Sequence, residues 1–290
     1  MTGGAASVGA AQVSQVAPAV PAGRRLNRKI LIGACLVAVI ALAGLAAPLL
    51  TSHSPTAQDV TNRLASPSSE HWLGTDMFGR DVYARLLYAA RIDIPLSLAA
   101  ALLPAIIGIL LGAIAGYRGG AYGTIVMRSA DFVQAFPVYV FLIAVVFVVG
   151  PGAKSFLVAS AAISWVTYAR LIRADMLRVR ELDYIRAARI AGLGHRRVLF
   201  RHALPNALPQ SIIYFASDVV LALVGLASLS FLGLGIQPPA AEWGSMIAEG
   251  QRFLRDQWWL SVAPGLAIVT VGVGFLLISE GLADTMGAET

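Results

Sequence analysis

Charged residues are scarce in this chain. Asp, Glu, Lys and Arg make up 13% of its 290 residues, whereas hydrophobic types make up 57%. Soluble domains are usually about 25% charged and 45–50% apolar. A mean hydropathy of +0.72 excludes disorder for most of the chain, because disordered segments combine few apolar residues with high net charge. The composition therefore predicts a polytopic membrane protein rather than a soluble enzyme.

Metal-ligating residues are equally few. The single cysteine, Cys35, excludes an intrachain disulfide framework and any cysteine-cluster metal site. The four histidines, His53, His71, His195 and His202, are scattered along the sequence. They show none of the short spacings that are typical of metal sites. We therefore expect no metal ligands and no cofactor in this chain.

Catalytic motifs are also missing. The sequence contains no phosphate-binding loop, and its nearest run, residues 150–155, has Ala153 in place of the second glycine. It contains neither the paired histidines of zinc proteases nor the G-x-S-x-G turn of hydrolases. We therefore expect a non-enzymatic protein that does not hydrolyse ATP by itself.

Long apolar runs divide the chain. We interpret residues 1–28 as a flexible tail, 29–51 as the first transmembrane helix and 52–91 as an external loop. The apolar run Ile30–Leu50 is long enough to cross a hydrocarbon core of about 30 Å. A cleaved signal peptide is the alternative, although its apolar region is normally shorter, about 7–15 residues. Residues 92–285 are predicted to form a five-helix core.

Five further apolar segments follow the external loop. They cover residues 93–116, 125–149, 155–171, 208–236 and 260–281. Together with the first run they predict an all-α membrane protein with six transmembrane helices. Prolines within several of these segments predict kinks, because proline removes a helical hydrogen bond.

The distribution of Lys and Arg predicts the orientation. With a cytoplasmic N-terminus, 15 of the 22 basic residues lie on the inner side and 7 on the outer side. This bias follows the positive-inside rule. We therefore attribute the net charge of +6 to topology and not to nucleic-acid binding. Both termini are predicted to be cytoplasmic, in a multi-pass protein of the inner or plasma membrane.

The cytoplasmic loop 172–207 is the most informative segment. Its composition predicts one helix over Leu182–Ala191, which Gly192 and Gly194 terminate, and a second short helix from about Arg196. We place the small residues Ala188 and Gly192 on one helix face, where they would let a partner approach closely. Arg186 and Arg189 flank that face and would pair with acidic groups of the partner. An ordinary basic inner loop is the alternative.

Residues of this loop also carry a resemblance. Ala187-Ala188, Gly192 and His202-Ala203-Leu204-Pro205 resemble the E-A-A-x-x-x-G-x₉-I-x-L-P motif of permease subunits of ABC-type importers. Arg186 replaces the glutamate of the motif and His202 its isoleucine. The loop and three further stretches are similar to the C-type permease of the dipeptide, oligopeptide and nickel branch. Those stretches are residues 71–88, 165–173 and 228–244.

The resemblance implies an ABC importer permease fold with a cytoplasmic coupling helix. It also implies four kinds of partner: a homologous second permease, two cytoplasmic ATPase subunits that carry ATP and Mg, an external substrate-binding protein and the lipid bilayer. The ATPase contacts implied by the motif are Tyr184, Arg186, Ala187, Ala188, Arg189 and Gly192. Leu204 and Pro205 would set the re-entry of the chain into the membrane.

Polar residues elsewhere suggest further sites. Asp218 lies inside an apolar span, where a carboxylate is costly, so we expect it to face the substrate path or the seam between permeases. A structural hydrogen bond to a neighbouring helix is the alternative. We predict that Asp76, Arg80, Asp81 and Trp243 contact the external binding protein. Local pairing among the charged residues is the alternative for those three.

We therefore predict a permease subunit of an ATP-driven importer for dipeptides, oligopeptides or related solutes, which works by alternating access. Two alternatives belong to other classes. A self-sufficient secondary transporter would hold coupling ions near the membrane midplane. A membrane scaffold would transport no solute.

Overall fold

The computed structural model describes residues 27–286, so most of the predicted tail 1–28 lies outside the described residues. Within them the chain is almost entirely helical, with no β-strand beyond an isolated bridge between Thr75 and Asp81. The α-helices in chain order are α1 (Arg28–Leu45), α2 (Ala47–Leu50), α3 (Val82–Arg118), α4 (Gly120–Gln134), α5 (Val138–Val149), α6 (Ala153–Val179), α7 (Asp183–Ile190), α8 (His195–Arg197), α9 (Leu204–Ala207), α10 (Pro209–Phe231), α11 (Trp243–Gly250) and α12 (Trp259–Met286). A π-helix (Val198–Ala203) and two 3₁₀ helices (Val60–Asn62 and Gln251–Phe253) complete the list. The predicted all-α class is confirmed.

Among residues 27–286 five helices, α1, α3, α6, α10 and α12, are long and apolar enough to cross a membrane, and the number rises to six if the bent pair α4 and α5 is counted as one span. The two members of the pair meet at 88°. Residues 125–149 therefore do not form the single span that we predicted. The break lies at Pro137, which disfavours a helical conformation in the preceding residue and lacks an N–H.

The predicted external loop 52–91 is too long. Helix α3 already begins at Val82, because the Asp81 carboxylate accepts a hydrogen bond of 2.6 Å from the Ala84 N–H and caps the helix. Polar residues such as Arg85 are typical of a loop in the sequence, but here they belong to the first turns of α3.

The predicted cytoplasmic loop 172–207 is too long as well. Helix α6 continues to Val179 and buries Ile172 and Met176, so the loop proper begins after it. The predicted first span 29–51 corresponds to α1 and the short helix α2 that follows it.

Helices α3 and α6 form the centre of the bundle. Gly108, Gly112 and Gly116 lie one turn apart on α3 and face α6. A Cβ atom at Gly112 would overlap the carbonyl oxygen of Ala169 and the side chain of Ile172. The absence of side chains at these positions lets the two helix backbones approach closely, as small-xxx-small stripes do in membrane proteins.

Helix α1 packs along α12 at a similarly close distance, through Gly33 and Gly274. The Lys29 ammonium lies 3.2 Å from the Glu280 carboxylate and 3.1 Å from that of Asp284. The beginning of α1 and the end of α12 therefore lie side by side, at the same end of the bundle.

The 37 residues of α3 connect the two ends of the molecule. At 1.5 Å per residue the helix is roughly 55 Å long. Its first turns pack against the segment 51–81 and α11, and its last turns pack against α6 and the loop that contains α7. We call residues 51–81 together with α11 the cap, and residues 180–208 the coupling loop.

Candidate functional site

The coupling loop contains the predicted helix, which is α7. Ile185 is fully buried and inserts into an apolar cluster. Tyr117 of α3 and Ile172 and Met176 of α6 belong to this cluster. A helix of eight residues is too short to be stable alone in water, so this anchor holds α7 against the membrane helices.

Gly192 terminates α7 and does not lie on its face, contrary to our prediction. Its φ of +81° is a conformation that favours glycine. The Gly192 N–H donates to the Arg189 carbonyl at 3.0 Å and the Leu193 N–H donates to the Ala188 carbonyl at 3.2 Å. This pair of bonds is a Schellman motif, which satisfies the last carbonyls of a helix. The predicted second helix is present and continues beyond Leu204 to Ala207.

The two arginines of α7 have partners within the chain. Arg186 lies 3.1 Å from the Glu181 carboxylate, and hydrogen bonds from Arg186 and Arg180 lower the pKa of Glu181 below its usual value. The Arg189 guanidinium lies 4.9 Å from the centre of the Tyr117 ring, a cation–π contact. Their pairing with acids of a partner stays a prediction.

The outward face of α7 mixes apolar side chains with the exposed charges of Asp183, Arg186 and Arg189. Ile190 is 88% exposed, and Tyr184 and Ala187 are exposed as well. Ala188 is half-buried and packs against the apolar cluster below, so it offers less surface than we predicted. Ile190 was missed in the sequence, although its spacing of three from Ala187 places the two side chains on neighbouring turns.

Two further loop residues were predicted from the resemblance. Leu204 is half-buried and packs against the cluster that holds Ile185. Pro205 is exposed and occupies the first turn of α9, where its missing N–H costs nothing. Both lie immediately before α10, at the point where the chain re-enters the helix bundle.

A cavity of about 630 Å³ lies between α3, the bent pair α4 and α5, α6 and α10. Its wall is mainly apolar, and a few polar side chains converge on it, which is the usual character of a ligand site. The polar lining residues are Gln134, Ser160, Ser164, Thr167, Tyr214 and Asp218. Of these only Asp218 was predicted. The spacing of four and three between the α6 residues gave a signal, because it places them along one helix face.

Asp218 makes the structural hydrogen bond that we weighed as the alternative, and its place on the substrate path or permease seam stays a prediction. Its carboxylate accepts a hydrogen bond of 2.9 Å from the Tyr168 hydroxyl of α6, and it lines the cavity as well. Its side chain is buried within this chain. The hydrogen bond links α6 to α10 across one corner of the cavity.

A cluster of buried ions holds the cap together. Arg80, which is 2% exposed, lies 2.6 Å from Asp76 and 2.6 Å from Glu249 of α11. Arg85 of α3 lies 3.5 Å from Asp76 and 3.3 Å from Glu249. Because each carboxylate is shared by two guanidinium groups, the cluster joins the external segment, α3 and α11 in one defined geometry.

Two further residues of the cap are buried in a similar way. The Asp81 carboxylate lies 2.8 Å from His71 Nδ1 in addition to capping α3. Trp243 is 1% exposed, and its indole N–H donates to the Leu86 carbonyl at 3.1 Å. The Trp243 backbone N–H donates to the Asp93 carboxylate at 2.9 Å.

Our prediction of an external contact surface made of Asp76, Arg80, Asp81 and Trp243 is therefore wrong. All four side chains are buried within this chain. The alternative, local pairing among the charged residues, is correct for Asp76 and Arg80, whereas Asp81 pairs with His71 instead. Neighbouring Glu242 caps α11 by accepting from the Gly244 and Ser245 N–H groups, and burial raises its pKa.

Comparison with known proteins identifies relatives over most of the chain. A dipeptide transport system permease protein, DppC, of Alkalihalophilus pseudofirmus is 36% identical over 90% of this chain and 86% of its own length. The probable D,D-dipeptide transport system permease protein DdpC of Escherichia coli is 36% identical over 87% and 85%. A putative peptide transport system permease protein of Brucella abortus is 38% identical over 93% and 91%.

A similar fold occurs in solved structures. The inward-facing MetNI methionine ABC transporter aligns with a TM-score of 0.54 and 15% identity, over 71% of this chain and 97% of the other. Residues 108–286 match the family described as the binding-protein-dependent transport system inner membrane component. The chain therefore belongs to this family of membrane transport components and has the permease fold of ABC transporters.

Proposed function

We propose that this chain is a permease subunit of an ATP-driven importer of dipeptides or oligopeptides. The observation that carries the proposal is a mechanical connection. Helix α7, which exposes both apolar and charged side chains, is anchored on the last turns of α3 and α6, and earlier turns of the same two helices line the cavity. A force applied to α7 is therefore transmitted to the cavity wall.

The names of the relatives support the substrate class. Those relatives are described as transport proteins for dipeptides, D,D-dipeptides or peptides. A peptide carries many amide donors and acceptors, and the hydroxyl, amide and carboxylate groups of the cavity offer partners for them.

The proposal requires several partners. Two cytoplasmic ATPase subunits would bind ATP and Mg and receive α7, so that this chain itself catalyses no reaction. A homologous second permease would close the cavity, and the exposed apolar side chains of α5, including Phe147 at 90% exposure, suit a membrane or a second permease. An external binding protein would deliver the peptide at the cap. The termini and the coupling loop would then be cytoplasmic.

Alternating access follows from differential binding. ATP can shift the permease between its inward- and outward-facing states only if the ATPase binds the two states with different affinity. The exposed side chains of α7 would make the contacts that differ. Because Ile185 anchors the helix from the other side, movement of α7 would move the ends of α3 and α6 with it.

The test uses the substitution Ile190→Arg in the tagged chain, purified in mild detergent from its native membrane. We expect the variant to retain the second permease and lose the ATPase subunits, because a long charged side chain would not fit where the partner receives the Ile190 side chain. Val60→Arg is the matched control, since Val60 is another exposed aliphatic residue, 72% exposed, in the cap. The control should retain both the second permease and the ATPase subunits.

Two results would overturn the proposal. One is that Ile190→Arg retains the ATPase subunits and normal ATP-dependent peptide uptake. The other is that the wild-type chain purifies alone and transports peptides in liposomes without an ATPase, which would indicate a secondary transporter.

A second experiment concerns the cavity. Asp218→Asn should reduce peptide uptake if the charge contributes to the path, whereas Tyr168→Phe removes the hydrogen bond and keeps the charge. Full uptake by the Asn variant would exclude a role for the charge. Binding of the ATPase subunits should be unchanged in both variants, because neither residue belongs to the apolar cluster that anchors α7.

A further inference from the structure

The cap brings together three side chains that are able to bind a metal ion. Ligand atoms of His53, Glu70 and His71 all lie within 4.8 Å of one another. We expected no metal site because the four histidines are far apart in the sequence, but His53 and His71 are close together in the structure. The segment that follows α2 folds back onto the residues before α3, and this brings two of the four histidines side by side.

Local hydrogen bonds hold the backbone of both histidines. The His53 N–H donates to the Thr51 hydroxyl at 3.1 Å. The His71 N–H donates to the Ser68 hydroxyl at 3.0 Å, and the Ser68 N–H donates to the His71 carbonyl at 2.8 Å. The two imidazole rings are half-buried, with centroids 4.8 Å apart. The backbone at both positions is therefore held by short-range contacts.

The His71 ring is oriented by a contact with a buried carboxylate. Its Nδ1 lies 2.8 Å from the Asp81 carboxylate, which is 4% exposed and is itself fixed as the cap of α3. An imidazole that donates Nδ1–H to a carboxylate presents the lone pair of Nε2. This carboxylate–histidine pairing is the usual second layer of contacts around a zinc ion.

We propose that His53, Glu70 and His71 form a binding site for a divalent transition metal, with Zn²⁺ as the best fit. Two imidazoles and a carboxylate are the donors that Zn²⁺ accepts, whereas Ca²⁺ and Mg²⁺ require oxygen ligands. Three protein ligands leave a fourth position for water. His53 and Glu70, but not His71, also line a neighbouring pocket of about 170 Å³, which leaves room for water beside the ligands.

The site would act as a clip across the cap. It joins a residue just after α2 to residues just before α3, and Asp81 connects it to the first turn of α3. A bound ion would therefore restrict movement between the end of the first transmembrane segment and the beginning of α3.

The test measures Zn²⁺ binding to the purified full-length chain by titration calorimetry, with an affinity tag that contains no histidine. We expect one Zn²⁺ per chain. Loss of a contact in the second layer around a metal usually weakens binding by about 10–100-fold, so loss of a direct ligand should weaken it at least about tenfold. His53→Ala and Glu70→Gln are the ligand variants, and His202→Ala in the coupling loop is the matched control.

The melting temperature supplies a readout that does not depend on calorimetry. Zn²⁺ should raise the Tm of the wild type and of His202→Ala, because an ion that binds only the folded state stabilises it. At the same Zn²⁺ concentration it should raise the Tm of His53→Ala and Glu70→Gln by less. Equal Zn²⁺ affinity in the wild type and in both ligand variants would overturn the proposal, as would an equal loss in the control.

Discussion

The cap and the coupling loop lie at opposite ends of α3 and are held by different forces. In the cap, Arg80, Arg85, Asp76 and Glu249 form a buried ion cluster. In the coupling loop, an apolar cluster around Ile185 supplies the anchor, and the ion pair between Arg186 and Glu181 is exposed, with each side chain 58% accessible. One helix thus ends in two environments of opposite character.

The difference means that the cap is held more rigidly than the coupling loop. Buried ion pairs are directional, and the loss of one partner leaves an uncompensated charge, so they define a single geometry at the cap. Apolar contacts are non-directional and tolerate small displacements. The coupling loop therefore remains attached to α3 and α6 while its outer face is available to a partner.

Removal of a buried charge from the cap should lower the free energy of unfolding more than the changes in the coupling loop described below. Arg80→Ala leaves Asp76 and Glu249 with less compensation in a buried site, and we expect a loss of about 3–5 kcal/mol in the free energy of unfolding. The measurement is reversible unfolding in detergent. Arg252→Ala, which removes an exposed arginine close to α11, should cost much less. Equal losses in the two variants would contradict a buried ion cluster.

The anchor of the coupling loop should be next in size. Ile185→Ala removes a fully buried side chain from the apolar cluster, and such truncations usually cost about 2–5 kcal/mol. We expect faster hydrogen exchange across α7 and unchanged exchange in the cap. Ile190→Ala is the control, because Ile190 is exposed on the same helix. Exchange that increases equally at both ends would argue against separate anchors.

The contact of α3 with α6 connects the two regions and can be tested separately. Gly112→Ala adds a methyl group where the backbone of α6 already lies in contact, and overpacking usually costs about 1–3 kcal/mol. Gly225→Ala is the matched control, since its nearest neighbour would be a side-chain atom at 3.8 Å. If the Tm decreased less in Gly112→Ala than in Gly225→Ala, α3 and α6 would not be in close contact at Gly112.

The smallest effect should come from the exposed ion pair. Arg186→Ala should leave the Tm unchanged within error, because exposed ion pairs contribute little to stability. Raising the salt concentration should likewise leave the anchored loop folded. A clear loss of Tm in this variant would mean that the loop depends on its charges rather than on Ile185.

Periodicity and composition were sufficient for much of the fold. The long apolar runs predicted the spans, and Gly192 correctly marked the end of α7. The break at Pro137 was only partly predictable, because proline in a membrane helix produces either a mild kink or a sharp turn. The packing of neighbouring elements decides between the two, and a single sequence does not contain it.

The functional residues also differ in how well the sequence predicts them. The coupling loop is formed by consecutive residues. Its helix and most of its exposed residues could therefore be identified from positions 180–208 alone. The cap is not local, since Arg80 meets Glu249 across 169 positions. Charged residues at an outer surface normally face water, so the sequence suggested contact with a partner, whereas folding buried them together.

The amino-acid sequence by itself determined the class of this protein, its membrane segments and the place of its coupling helix, because each depends on hydropathy or on residues close together in the chain. Only the tertiary structure decided which polar residues line the cavity, which charges are buried in the cap and which histidines meet. These depend on long-range packing, where burial and distance, rather than residue type, determine what a side chain can do.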